Sequence, residues 1–211
     1  MRLSLFAGAL LVLASCGPKA LTLPEAPVDR AATCGVVAAA EARAATGDIK
    51  ASLPFDAQGR ILHFALLAGA EGEEFDAEAA NAVLTRMPEL EGEITSGKWQ
   101  ELVPECRAAF PATQIATVVL PADAFAAQLA CDELGDFLTT ALARQDGDYG
   151  SQLGDYHRLA RSLDQRLGPG LRARAGPDLA AQQRSRREAL ADAARGGPPM
   201  AVMQRCLERF D

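Results

Sequence analysis

The sequence predicts a mainly α-helical protein built from two similar, disulfide-tied helical units. Apolar residues make up 49% of the 211 residues, yet only 5% are aromatic and alanine is abundant. Alanine is the strongest helix former, whereas strands favour β-branched and aromatic side chains. Apolar side chains also recur at helical spacing, and the cysteines of the body fall at similar intervals in its two halves. The sequence is also compatible with a short β element near residues 53–67 or 114–120.

The N-terminal segment has the pattern of a secretory signal peptide over residues 1–15. It starts with a positively charged residue, Arg2, and residues 3–14 are apolar with two exceptions. A membrane-spanning helix needs about 20 apolar residues, whereas the apolar core of a signal peptide has about 7–15. The length of this run therefore favours a signal peptide over a membrane span.

The signal ends in Leu13–Ala14–Ser15–Cys16, which resembles the lipobox of bacterial lipoproteins. The resemblance covers little more than these N-terminal residues. It implies that Cys16 carries a diacylglyceryl thioether, becomes the first residue after cleavage and anchors the chain to membrane lipid. Two or three acyl chains hold a protein firmly, whereas a single chain holds it only marginally. Gly17 follows in place of the Asp that marks inner-membrane retention, which favours the outer membrane.

The lipidated cysteine and a proline-rich tether are expected to occupy residues 16–30. Residues 17–29 contain three prolines and little apolar periodicity, which is typical of an extended linker. A linker of this length reaches at most roughly 40 Å. The body is therefore expected to face the periplasm and to work close to the membrane surface.

The first unit, residues 31–112, is predicted to be helical. Its predicted helices are residues 31–46, 76–87 and 98–109. Asp76 is expected to cap the second of these helices, with Phe75 as a hydrophobic staple before it. Residues 59–69 form an apolar run that fits either a helix or the second strand of a hairpin, because the run is too short for its periodicity to decide.

The second unit, residues 122–211, follows a strand-like segment at residues 113–120 that is either a strand or an extended connector. Its predicted helices are residues 123–144, 149–167, 178–194 and 200–210. The 149–167 helix has an apolar seam with steps of three and four residues, which is typical of helix packing in a bundle. This seam consists of Tyr149, Leu153, Tyr156, Ala160, Leu163 and Leu167. The sequence Gly168–Pro169–Gly170 is expected to end that helix.

Four cysteines remain when Cys16 is set aside, namely Cys34, Cys106, Cys131 and Cys206. An even number of cysteines in an oxidising compartment predicts two disulfides, and four cysteines allow three pairings. The chain has no CxxC pair, so a zinc ribbon, a thioredoxin-type site and a c-type haem site have no support in the sequence.

An internal duplication selects one of the three pairings. The separations between Cys34 and Cys106 and between Cys131 and Cys206 are 72 and 75 residues. A shift of 100 positions also superposes several residue types along the two halves. The coincident pairs are Leu53 and Leu153, Leu67 and Leu167, Arg86 and Arg186, Leu90 and Leu190, Gly97 and Gly197, Cys106 and Cys206, and Phe110 and Phe210. Two repeated units would pair Cys34 with Cys106 and Cys131 with Cys206; the alternative is one irregular domain with coincidental spacing.

Charge is unevenly distributed along a chain whose formal net charge is −7. The negative total argues against a nucleic-acid-binding protein. Residues 71–93 hold eight acids and one arginine, whereas residues 158–195 hold nine arginines and four acids. Two interpretations remain open: solvated helical faces that lie opposite each other, or an arginine-rich surface for anionic lipid headgroups or an acidic partner.

Candidates for catalysis or metal binding are scarce. His63 lies in an apolar run and is expected to be buried and hydrogen-bonded, whereas His157 is expected on the surface. No third ligand is spaced to form a metal site with either histidine. The segment 146–157 lacks the Gly and Glu of a calcium loop, and no nucleophile-elbow, phosphate-loop or dinucleotide motif is present. The sequence therefore predicts no metal, no cofactor and no catalytic residue.

The function that these features favour is that of a membrane-anchored binding or accessory protein in the bacterial cell envelope. Its expected partners are membrane lipid, through Cys16, and an envelope protein. A short anchor raises the effective concentration of such a protein at a surface. The alternative is an envelope hydrolase or transferase, which would need His63 or His157 beside a carboxylate and a hydroxyl. A passive structural lipoprotein is a third possibility.

Overall fold

The computed structural model describes residues 20–47, 52–143 and 146–210. The predicted signal peptide, the lipobox-like motif with Cys16 and the first residues of the predicted tether lie outside these ranges. Within them the chain is helical and contains no strand. None of the helices in the described ranges combines the length and the apolar character needed to cross a membrane.

The described residues form eight α-helices. They are α1 (Pro27–Thr46), α2 (Phe55–Gly69), α3 (Ala77–Ser96), α4 (Val103–Ala109), α5 (Ala124–Leu142), α6 (Asp146–Ala175), α7 (Leu179–Arg195) and α8 (Pro199–Phe210). Two 3₁₀ turns, Trp99–Leu102 and Pro111–Gln114, flank α4. Helices α1–α4 fall within the first predicted unit and α5–α8 within the second, except that α1 starts before it.

Helix α2 is buried on two sides because it lies between the two halves. Its Phe64, Ala65 and Ala68 pack with α1, α3 and α4 in one apolar core. Its Leu62 and Leu66 pack instead in a larger core with α5, α6, α7 and α8. A helix that is apolar around most of its circumference belongs in such an interior position. The ambiguous run at residues 59–69 is therefore a helix and not a hairpin strand.

The second candidate β element, residues 114–120, is an extended connector. It leads from the Pro111–Gln114 turn towards α5 and forms no strand pairing. Val118 is buried and anchors the connector, whereas the neighbouring Val119 is 79% exposed. The β-branched residues fit an extended backbone, but no strand lies beside this segment to form a ladder.

Two helices run through prolines at which the sequence predicted their ends. Helix α3 continues past Met87 and Pro88 to Ser96, and α6 continues past Gly168–Pro169–Gly170 to Ala175. A proline inside a helix removes one backbone hydrogen bond. Burial of apolar side chains beyond each proline offsets that loss, because Ile94 and Leu171 are both almost fully buried.

Residues 20–30 do not form the tether that the sequence predicted. Helix α1 begins at Pro27 and not at residue 31, with the proline in its first turn, a position that tolerates proline well. Leu21 and Leu23 pack against the core of the first half. Residues 20–26, called here the N-terminal strap, therefore lie on the body of the protein.

The two disulfides are those that the duplicated spacing predicted. Cys34 on α1 is bonded to Cys106 on α4, with a Cα–Cα distance of 5.4 Å. Cys131 on α5 is bonded to Cys206 on α8, with a Cα–Cα distance of 5.7 Å. In each half the bond joins the first helix to the last. The duplication itself stays a prediction.

Candidate functional site

A concave feature lined by both polar and apolar side chains follows the outer side of α2. One cavity of about 310 Å³ lies between α1, α2 and α4. A second of about 460 Å³ lies between α2 and α8. The two cavities share Arg60 and Pro198 in their walls. We call this pair of adjoining cavities the α2 groove.

Helix α2 provides one continuous wall of the α2 groove. Asp56, Gly59, Arg60, His63 and Phe64 line it, and their spacing of three and four residues places them on one helix face. Gly59 allows α8 to approach α2 closely, because a Cβ at this position would lie 2.3 Å from Cγ of Met200. The groove therefore lies where the two halves meet, a common location for binding sites.

The walls of the α2 groove combine apolar and charged side chains. The apolar part includes Val37, Ala38, Phe64 and Val103. Across the mouth, Nη2 of Arg107 lies 3.2 Å from Oε1 of Glu41. Both side chains are about half exposed, so this pair contributes little to stability. Its placement nevertheless gives the first cavity a polar rim.

Arg60 is the charged residue that lines both cavities of the α2 groove. It is exposed, and it forms no ion pair with any residue in the ranges that the structure describes. Asp56, one turn earlier on α2, is exposed in the same groove. An exposed guanidinium between apolar walls provides up to five hydrogen-bond donors for a carboxylate or carbonyl group.

His63 is buried as the sequence predicted. Only 1% of its surface is exposed, and its Nε2 lies 2.8 Å from the carbonyl oxygen of Ala194 on α7, to which it donates. Burial lowers the pKa of His63 to about 4, although the bond to Ala194 raises it. The imidazole is therefore neutral near pH 7 and joins α2 to the second half.

A catalytic arrangement would need His63 to face a carboxylate and a hydroxyl that are free to react. Glu41 and Thr113 line the same cavity as His63. Glu41 pairs with Arg107, however, and the hydroxyl of Thr113 donates to the carbonyl oxygen of Phe110 at 2.7 Å. Each of these two groups therefore has a partner other than His63.

The remaining candidates from the sequence lie apart from the α2 groove. His157 is exposed on α6, as predicted. The acidic residues 71–78 form a loop and the start of α3, where Oδ1 of Asp76 accepts hydrogen bonds from the amides of Glu78 and Ala79. No group of three or more potential metal ligands lies together in the part of the chain that the structure describes.

The acidic and arginine-rich segments meet at one edge of the molecule. Glu74 pairs with both Arg184 and Arg187 on α7. Arg195 donates to the carbonyl oxygens of Ala70 and Gly72 at 2.6 and 2.8 Å. These arginines of α7 therefore already have ion-pair or hydrogen-bond partners within the chain.

Arg60 and Asp56 were not identified as site residues from the sequence. The signal that could have found them is a pair of charged residues four apart at the start of an otherwise apolar helix.

No protein-family model, no curated protein and no solved structure matches this chain.

Proposed function

We propose that this protein is a lipid-anchored accessory protein of the bacterial cell envelope and that it binds a partner protein in the α2 groove. The anchor is Cys16, and the body faces the periplasm. Arg60 carries the proposal, because an exposed guanidinium at the junction of two partly apolar cavities suits an acidic or carbonyl-rich segment of a partner. The two disulfides fit an oxidising compartment.

The enzyme alternative has less support than binding. It requires a histidine that can exchange protons with a substrate, and His63 instead donates to a backbone carbonyl in the interior. His157 is exposed on α6 and lines neither cavity of the α2 groove. Both histidines thus fit a binding protein better than a hydrolase or transferase.

Site-specific photo-crosslinking in living cells tests the binding site. A photoreactive amino acid at Ala201, which is exposed in the groove, is expected to capture one partner. The matched control is the same amino acid at Leu179, which is 75% exposed elsewhere. Arg60→Glu should reduce the adduct several-fold, whereas Arg161→Glu, a charge reversal on exposed α6, should not. Capture only from position 179 would contradict the groove as the site.

Lipid anchoring has its own test. Cys16→Ala is expected to move the protein from the membrane fraction to the soluble periplasmic fraction and to abolish the partner adduct. Mass spectrometry of the mature N-terminus should find a diacylglyceryl group on Cys16. An unmodified cysteine, or a membrane association that Cys16→Ala leaves unchanged, would contradict the anchor.

A further inference from the structure

The N-terminal strap is held on the body by apolar contacts. Leu21 and Leu23 are half-buried and pack against the core that α1, α3 and Trp99 share. Gly97, just after α3, makes room for this contact, because a Cβ at position 97 would lie 2.9 Å from Cδ1 and Cγ of Leu21. The strap therefore crosses the corner where α3 ends.

Arg30 fixes the second half of the strap. Its Nε donates to the carbonyl oxygen of Pro24 at 3.0 Å, and its Nη2 donates to that of Glu25. These bonds tie the strap to the first turn of α1. Residues 20–26 thus have one defined path, and the free linker that the sequence predicted does not extend through them.

A docked strap changes how far the body can lie from a lipid anchor. Four peptide units separate Cys16 from Ala20, and an extended chain spans at most about 3.5 Å per residue. The first strap residue therefore lies within about 14 Å of an anchored Cys16, compared with roughly 40 Å for a free tether. This limit depends only on chain length.

We infer that one corner of the body, formed by residues 20–23 and 96–100, rests on the lipid headgroups of the membrane. The inference rests on the proposed lipid anchor at Cys16. At this corner Lys98 is exposed, with its Nζ 3.4 Å from Oε1 of Glu101, and Trp99 is half-buried. Lysine and tryptophan both suit the membrane–water interface. The acyl chains supply the affinity, since the net charge of −7 opposes attraction to anionic lipid. The corner sets the orientation.

The single tryptophan of the chain makes this orientation measurable. The lipidated full-length protein would be reconstituted in vesicles of phosphatidylethanolamine and phosphatidylglycerol that contain a dansyl-labelled lipid headgroup. Energy transfer from Trp99 to dansyl is then expected to be efficient. A flexible linker of about 20 Gly and Ser residues between Lys19 and Ala20 has a mean span of about 25 Å and should reduce the transfer several-fold.

A second variant releases the strap without an insertion. Leu21→Ser combined with Leu23→Ser removes both apolar contacts and should also reduce the transfer, whereas Leu179→Ser, at an exposed leucine elsewhere, should leave it unchanged. Circular dichroism checks that each variant keeps its helices.

The outcomes separate the orientation from the anchor. Protein that floats with the vesicles but shows weak transfer, or transfer that the linker does not change, overturns the membrane-facing corner and leaves the anchor intact. Native protein that does not float with the vesicles overturns the anchor, and the membrane-facing corner with it.

Discussion

The buried side chain of His63 makes the free energy of unfolding depend on pH. Its pKa is about 4 in the folded protein because burial disfavours the charged imidazole, whereas an unfolded histidine has a pKa of about 6.5. The unfolded state therefore binds a proton first as the pH falls. The contribution of His63 to stability is complete above about pH 6.5 and is lost progressively towards pH 4.

We expect the free energy of unfolding to fall by about 2 kcal/mol between about pH 7.5 and about pH 5 on account of His63 alone. Urea denaturation at the two pH values measures this change. The control is His63→Gln, which keeps a donor for Ala194 but does not titrate, so its stability should depend less on pH by that amount. Equal pH dependence in both proteins would contradict the neutral buried histidine.

At the scale of elements, Arg186 joins α7 to α5. Its Nη1 lies 3.3 Å from Oδ2 of Asp132 and also contacts Oε1 of Glu133. Burial raises the pKa of both carboxyl groups, and Arg186 opposes that shift. In the first half, Nε of Arg86 on α3 lies 2.8 Å from Oδ1 of Asp29 on α1. Each arginine thus joins the third helix of its half to the first.

Arg186→Gln is expected to lower the free energy of unfolding by about 1–3 kcal/mol near pH 7, because two poorly solvated carboxylates would lose their cation. The loss should shrink as the pH falls, since Asp132 and Glu133 then become neutral. Chemical denaturation at several pH values checks both parts. Arg184→Gln, which removes a more exposed pair with Glu74, should cost less than about 1 kcal/mol. An equal loss in the two variants would contradict this account.

For the whole molecule, one disulfide contributes to the stability of each half. They close loops with sequence separations of 72 and 75 residues, so the chain-entropy model assigns each about 4 kcal/mol. Replacing either pair with alanine should therefore reduce the free energy of unfolding by similar amounts in urea titrations. Peptide mapping without reductant should recover Cys34 with Cys106 and Cys131 with Cys206. A peptide that joins Cys106 to Cys131 would contradict the fold.

The sequence by itself determined the helical class and most helix starts, and the duplicated cysteine spacing predicted the disulfide pairing that the structure shows. Asp76, Asp123 and Asp178 cap α3, α5 and α7, and capping depends on residues within one turn. The apolar seam of α6 was also readable, because helical periodicity is local. The cysteine spacing matches the two disulfides, and Arg86 and Arg186 lie on the third helix of their respective halves.

Only the tertiary structure decided which local signals were overridden. Pro88 and Pro169 did not end their helices, since burial of side chains beyond each proline outweighed one lost hydrogen bond. Because Leu21 and Leu23 pack against the core of the first half, residues 20–26 form a docked strap and not the linker that the sequence predicted. The position of Arg60 in a groove depended on α1, α4 and α8 packing around α2. These outcomes come from contacts between residues far apart in the chain, which periodicity and capping do not encode.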